Sequence, residues 1–235
     1  MSFHEPSAAR RIEPEWLDEL PAGDPRAIRS RRDLVRVNAL MSNPGIVASE
    51  LQSRLPRGAV RIAEMGSGDG EFALRVARRI GRREGMLTLL DRATEPDRQC
   101  LDQFRAASWQ AACVRADVFD WLRDPRAPSF DAIFANLFLH HFEPGRLAEL
   151  LRLIALRTRL FVACEPRRSR AALAGSRLLG LVGCSDVTRH DAVTSVHAGF
   201  RDAELCDLWS EPGGWRLEEG SRGLFSHAFV AERLC

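Results

Sequence analysis

The chain contains neither lysine nor tyrosine, so all 34 of its basic residues are arginine. Coding bias toward G and C accounts for both gaps, and no chemistry is read from them. A large charge excess is missing too: 34 basic residues meet 32 acidic ones, for a formal net charge of +2. That balance argues against a general nucleic-acid binder, which needs a broad basic field. Six cysteines occur, at 100, 113, 164, 184, 206 and 235, with no C-x-x-C pair and no histidine at metal spacing. They read as reduced thiols in a cytoplasmic protein. Cys113 and Cys164 fall in apolar runs, where free cysteine acts as a small hydrophobe in a buried strand. The N-terminus shows no apolar signal segment. The longest apolar stretch, Leu153 to Cys164, is broken by Arg157 and Arg159 and is too short to span a bilayer. Stable membrane insertion is not expected, although peripheral contact stays open. There are no internal repeats and no low-complexity tracts.

What is present suits one globular domain of 235 residues, large enough to bury its own core. The most informative stretch is Arg61-Ile62-Ala63-Glu64-Met65-Gly66-Ser67-Gly68-Asp69-Gly70-Glu71-Phe72. An apolar run rises into an acid, three glycines follow at alternate positions, and Phe72, Val76 and Ile80 then recur at helical spacing. This reads as strand, tight turn and helix, the opening unit of a doubly wound α/β sheet. Ligands in such sheets bind at the carboxyl ends of the strands, near the first βα turn. A dinucleotide fingerprint would need a small residue five positions after Gly66, and Glu71 stands there instead.

The pattern acid-x-G-x-G-x-G resembles motif I of the class I S-adenosylmethionine-dependent methyltransferases. Four later stations match that family in order. Met86 to Asp91 is an apolar strand ending in an acid, about 20 residues after the last glycine. Ala112 to Val118 looks like the third strand with its exit acid, Asp117. Phe130 to Phe142 resembles motif IV of the small-molecule members, and Leu160 to Pro166 reads as a fifth buried strand. The likeness covers residues 59 to 166 motif by motif. It lies nearest the ubiquinone and menaquinone biosynthesis enzymes and their secondary-metabolite relatives.

The resemblance implies a Rossmann-like, mostly parallel seven-stranded sheet with an antiparallel last strand. It also implies a site for S-adenosylmethionine. Glu64 would orient the glycine loop and the methionyl ammonium, with Gly66, Ser67, Gly68 and Gly70 forming the loop. Asp91 would hold the ribose, with Arg92 beside the adenine. Asp117 and Val118 would frame the adenine edge, and Asn136 would present its backbone carbonyl to the ammonium. Asp117 could equally be an ordinary helix N-cap, or both.

The remaining chain surrounds that core. Residues 1–55 are expected to form a loosely attached arm and a helical cap, and residues 56–235 the catalytic domain. In the arm, Trp16, Leu17 and Leu20 could pin a short helix. From Ala27 to Leu55 the pattern is helical, broken at Asn43-Pro44-Gly45. One face carries Ile28, Leu34, Val37 and Met41, another Arg29, Arg32 and Arg36. The arginines read as a solvated face, or as a site for an anionic group or an anionic membrane surface. Roughly fifty residues separate Pro166 from Trp215, far more than an ordinary crossover loop. Residues 167–213 therefore form a substrate-side helical insertion before a final pair of strands, with Gly220 and Gly223 between them.

His140 and His141 follow the fourth strand, at the edge where the methyl donor would sit. Histidine can act as a base at neutral pH, and His140 is the first candidate; structural roles under the sheet rim are the alternative. His190, in the insertion, is a further catalytic candidate or a solvated lid residue. His227 lies in a strand and reads as structural, while His4 and His197 carry no signal. Other subclasses lack their signatures here. After Asn136 there is no Pro-Pro pair, as nucleic-acid amino-methyltransferases need, and the chain has no Asp-Asn pair of the metal-dependent catechol type. The paired-glutamate hairpin of protein arginine enzymes is also absent. The reading is metal-independent O-methylation of a small, aromatic, apolar acceptor, with oligomeric state open. The alternatives are C-methylation of a quinone or polyketide precursor, a nicotinamide-dependent oxidoreductase, and a non-catalytic binding protein with this fold.

Overall fold

A computed structural model of the chain describes residues 9–21, 23–81, 84–211 and 213–234. His4 and Cys235 lie outside the described residues. Three helices come first: α1 (Trp16–Glu19), α2 (Pro25–Leu40) and α3 (Asn43–Arg54). Then β1 (Val60–Met65), α4 (Glu71–Ile80), β2 (Gly85–Asp91), α5 (Arg98–Ala106), β3 (Trp109–Arg115) and α6 (Val118–Arg123) alternate. β4 (Ala132–Asn136), a 3-10 turn (Leu139–His141), α7 (Pro144–Ala155) and β5 (Leu160–Pro166) follow. The insertion holds α8 (Arg170–Leu178), a second 3-10 turn (Leu179–Val182), α9 (Asp186–Ala198) and α10 (Glu204–Leu208). A hairpin of β6 (Trp215–Arg222) and β7 (Ser226–Arg233) closes the fold.

The seven strands form one sheet in the order β3-β2-β1-β4-β5-β7-β6. β1 to β5 pair in parallel, and β7 runs antiparallel to both β5 and β6. Strand order reverses between β1 and β4, so the glycine loop after β1 opens at the topological switch point. Helices cover both faces, which is why the central strands are nearly continuous apolar runs. One face packs Ile62, Leu87, Phe104 and Phe134 under α3, α4 and α5. The other packs Met65, Leu90, Phe161 and Phe229 under α6, α7 and α10. Phe161 is fully buried there, its ring 6.2 Å from both Trp209 and Phe229.

Several expectations need correction. The helical break falls at Met41-Ser42, and Asn43-Pro44-Gly45 opens α3 instead of ending α2. Proline suits a first helical turn, where its missing N–H costs nothing. Ile28 is exposed, because the buried face of α2 is largely polar: Ser30 and Asp33 meet Thr188 and Ser185 of the insertion. Cys113 is exposed, because β3 is an edge strand, whereas Cys164 is buried. β3 also starts and ends earlier than the motif implied, leaving Asp117 beyond it. Gly220 lies inside β6, and the hairpin turns at residues 223–225.

The arm is pinned from residue 9 onward. Arg10 donates to the carbonyls of Ala198 (2.8 Å) and His140 (3.0 Å) and lies over the Phe200 ring. The N–H groups of Trp16 and Leu17 donate to the Asp191 carboxylate.

Phe161→Ala is expected to cost about 3–5 kcal/mol, the range for emptying an aromatic core site. Urea unfolding measures it; a loss under about 1 kcal/mol would show that this cluster does not centre the core.

Candidate active site

The loop after β1 sets the floor of the site. Gly66 (φ 69°) and Gly68 (φ 53°) take left-handed conformations that L side chains rarely adopt. Their surroundings differ. A Cβ on Gly66 would overlap the Phe138 ring, whereas a Cβ on Gly68 would meet nothing within 4 Å. Gly66 therefore serves a protein contact, and the open space beside Gly68 is what a ligand can approach. Asp91 braces the same loop. Its Oδ2 accepts from the Gly68 N–H at 3.0 Å, and its Oδ1 from Ala93 and Thr94, each at 2.8 Å.

Glu64, at the carboxyl end of β1, is buried, and its Oε2 has no partner among the described residues. Burial first, then the charges of Asp69 and Asp91, hold this carboxyl well above the usual carboxylate range. The Ser67 hydroxyl is buried and unpartnered as well. Buried polar atoms normally find partners, so the pair marks a place shaped for a ligand's donors. Asp117 caps α6 through the N–H groups of Phe119 (2.8 Å) and Asp120 (3.3 Å), and its residue also faces the cavity.

One cavity of about 960 Å³ brings together Glu64, Gly66, Ser67, Gly68, Asp91, Arg92, Asp117, Val118, Asn136, His140 and His141. Gly70 is not on it. It is the left-handed N-cap of α4, wedged against Pro96 and Cys100. His190 is not on it either. On α9 the cavity stripe is Thr188, Asp191, Ala192 and Ser195, at helical spacing. His190 points off that stripe, stacks on Trp16 at 3.8 Å and meets Asp191 Oδ1 at 3.0 Å. The Asn136 carboxamide is spent on a ring of three amides. Asn43 Nδ2 donates to Asn136 Oδ1 (2.9 Å) and Asn38 Oδ1 (3.1 Å), and Asn136 Nδ2 donates to Asn38 Oδ1 (3.0 Å). The ring fixes the carboxamide in place, which leaves the main chain of Asn136 as the expected contact to a ligand.

Another part of the cavity wall is built around a buried histidine. His140 Nδ1 lies 2.7 Å from Glu165 Oε2 and Nε2 lies 3.3 Å from Glu15 Oε1. Burial alone would lower its pKa, but the two carboxylates outweigh that and raise it to about 9. Glu15 is brought down to about 2 against the effect of its burial, chiefly by His140. Glu165 is held below its usual range in the same way, helped by the N–H groups of Leu139 and Phe138. At neutral pH His140 is therefore a cation with both nitrogens occupied. That is a poor state for a base. His141 differs: burial, then the charge of His140, lowers its pKa. Its ring lies 4.2 Å from that of His140, and its Nδ1 faces Asp18 Oδ2 at 3.6 Å.

Glu15, Asp18 and Glu165 went unremarked as site residues in the sequence. Glu165 carried a signal, an acid at the end of a buried strand, as Glu64 and Asp91 do. Glu15 and Asp18 carried none. Glu15, His140 and His141 place ligand atoms within 4.8 Å of one another, a group that could hold a metal ion. The ion pairs already satisfy its charges.

Residues 62–159 match a protein-family profile described as a methyltransferase domain. Over those residues the chain carries a methyltransferase domain, set on the Rossmann-like sheet described above. No curated protein matches it. Among solved structures, the plantazolicin methyltransferase BpumL, in complex with S-adenosylhomocysteine, superposes with a TM-score of 0.61 at 13% identity, over 90% of this chain and 91% of that one. An O-methyltransferase family protein from Burkholderia thailandensis gives 0.59 at 16% identity, over 91% and 61%. The mitomycin 7-O-methyltransferase MmcR gives 0.55 at 17% identity, over 92% and 60%. Such identities show a shared fold. BpumL holds S-adenosylhomocysteine, and the orphaned Glu64 oxygen and the open space at Gly68 of this chain fit a ligand of that kind.

Because the folded pKa of His140 is raised, its contribution is complete below about pH 6.5, the unfolded value. It fades as pH rises through about 9. The enzyme should lose about 3 kcal/mol across that window, and His140→Gln should lack this slope. Urea titrations at both ends of the window test it, and parallel slopes for the two proteins would refute the ion-pair assignment.

Proposed function

We propose that this methyltransferase methylates an oxygen of a small, aromatic, largely apolar acceptor without a metal ion. The observation that carries the reading is one shared cavity. The loop, Glu64 and Asp91 line it together with His141 and with aromatic and aliphatic side chains that include Phe138, Phe142, Leu178 and Leu179.

S-adenosylmethionine supplies a methyl group already activated on a sulfonium. The protein's part is then to hold, align and dry the reactants, which can contribute about 7–11 kcal/mol of the barrier. Glu64 would meet the methionyl ammonium and ionise against it. Asp91 retains acceptor capacity for ribose hydroxyls beyond its three backbone donors. Arg92, Asp117 and Val118, which line the same cavity, would frame the adenine.

A phenolic acceptor has a pKa of about 10 and gains from a base with a pKa near neutrality. His141 is the candidate: burial and the charge of His140 lower its pKa and so favour the proton-accepting form, Asp18 faces its Nδ1, and Nε2 would take the acceptor proton. His140 takes a positioning role: its fixed charge helps keep His141 neutral, and its bonds anchor the turn that carries both rings. O-methyltransferases among the similar folds support oxygen as the target. The mostly apolar cavity and the near-zero net charge support a small molecule over a nucleic acid.

His141→Ala should lower turnover on a phenolic acceptor about 10²–10⁴-fold while leaving the Kd for S-adenosylhomocysteine unchanged. Undiminished turnover would remove His141 as the base. Asp91→Ala should weaken S-adenosylhomocysteine by about tenfold or more, since it loses hydrogen bonds to a charged group and its hold on the loop. Calorimetry reads this directly. Dialysis against a chelator should leave the rate unchanged; a rate restored only by added divalent metal would transfer the chemistry to the Glu15, His140 and His141 group.

A further inference from the structure

Three segments distant in sequence expose apolar side chains at one end of the cavity. Leu40 closes α2 and is 59% exposed. Leu178, Leu181 and Val182, at the end of α8 and in the following turn, are 57%, 83% and 51% exposed. Leu224, in the β6–β7 turn, is 63% exposed. The segments touch one another. Ser226 Oγ, which donates to Asn43 Oδ1 at 2.6 Å, lies 3.5 Å from the Met41 carbonyl, and the Phe225 ring closes on Gly175 of α8. Leu40, Leu178, Val182 and Phe225 also line the cavity, so the exposed rim and the cavity wall are continuous. Single exposed leucines are ordinary, but a linked group at a cavity mouth marks an interaction site.

Charge decides what covers it. α2 carries five arginines against one aspartate, and that aspartate, Asp33, is buried. Arg29, Arg32 and Arg36 are exposed, with one Arg36 nitrogen 3.2 Å from Asp33 Oδ1. Arg29 and Arg36 lie close enough to Cys184, two residues past Val182, for their charge to act on its thiol. The Arg189 stem packs against Gly180 inside the exposed turn, with its head paired to Asp186. An apolar tip with a basic flank is the pattern of an interfacial anchor: the tip enters the acyl boundary and the arginines reach the headgroups. A second copy packed face to face would set these arginines against themselves.

We propose that this rim docks on an anionic lipid bilayer, with Leu181 at the tip, so that the cavity opens toward the membrane. No helix among the described residues is long and apolar enough to cross a membrane, so the contact is peripheral. The proposal rests on the rim and its charge, not on the identity of the acceptor.

The test is flotation of the full chain with two vesicle types, phosphatidylcholine alone and phosphatidylcholine mixed with phosphatidylglycerol. S-adenosylhomocysteine binding reports folding in every sample. The protein should float with the mixed vesicles, less so at high salt. Leu181→Asp should cut that binding at least tenfold, and Arg29→Glu with Arg36→Glu should cut it by roughly fivefold or more for each arginine lost. All variants should keep S-adenosylhomocysteine affinity. Failure of the folded wild-type chain to float with the mixed vesicles would overturn the proposal. So would equal binding by Leu181→Asp, or a dimer in light scattering that Leu181→Asp dissolves.

Discussion

The Glu165 carboxylate is fully buried, and three donors converge on it: the N–H groups of Phe138 and Leu139, and His140 Nδ1. A carboxylate sealed from water is tolerated only when its lone pairs are filled and its charge is met. Here the donors come from the chain after β4, while the acceptor ends β5, so satisfying one charge locks two neighbouring strand ends together. His140, made a cation by that contact, has a second nitrogen that must also be met, and Glu15 of the arm meets it. Ser195 of α9 donates to Glu15 as well. The arm, the insertion and the sheet edge thus share one buried charge cluster.

Such clusters are weak sources of net stability, because desolvation offsets most of the attraction. What they supply is position. Removing any member leaves another charge buried and unmet, so the arrangement has one low-energy form. An enzyme that works by alignment has more use for that property than for stability. Leu137 fits the same view. Its left-handed φ of 51° is uncommon for a leucine and costs on the order of 1–3 kcal/mol, yet its N–H is held by the Cys164 carbonyl at 3.0 Å. The chain after β4 is bent into place from both ends.

The glycine-loop part of the cavity was legible in the sequence because local rules build it. A strand, an acid, a glycine turn and a helix are adjacent in the chain, and that adjacency brings Glu64, Gly68 and Asp91 to one cavity. The part around His140 was not, because its contacts are tertiary. Glu15 reaches His140 across a separation of 125 residues and Ser195 across 180. Nothing local distinguishes Glu15 from Glu13. His190 was misjudged for a related reason. Proximity in sequence to Asp191 put it in the right segment, but helical rotation turned it off the cavity stripe. The polar buried face of α2 shows the limit of hydrophobic patterning, since its partners Ser185 and Thr188 lie in the insertion.

The two halves of the site are not independent. Gly66 lacks a side chain because the Phe138 ring occupies that space. The Phe138 N–H is held by Glu165, Glu165 holds His140, and His140 holds Glu15. A continuous run of contacts therefore joins the glycine loop to the arm. Without Glu15, His140 would keep one carboxylate instead of two and lose part of what raises its pKa. The charge of His140, after burial, is what lowers the His141 pKa, so the proton balance of both rings depends on Glu15 staying seated against His140 and Ser195. Loop, ion cluster and arm act as one device because each is needed to give the next its chemical state.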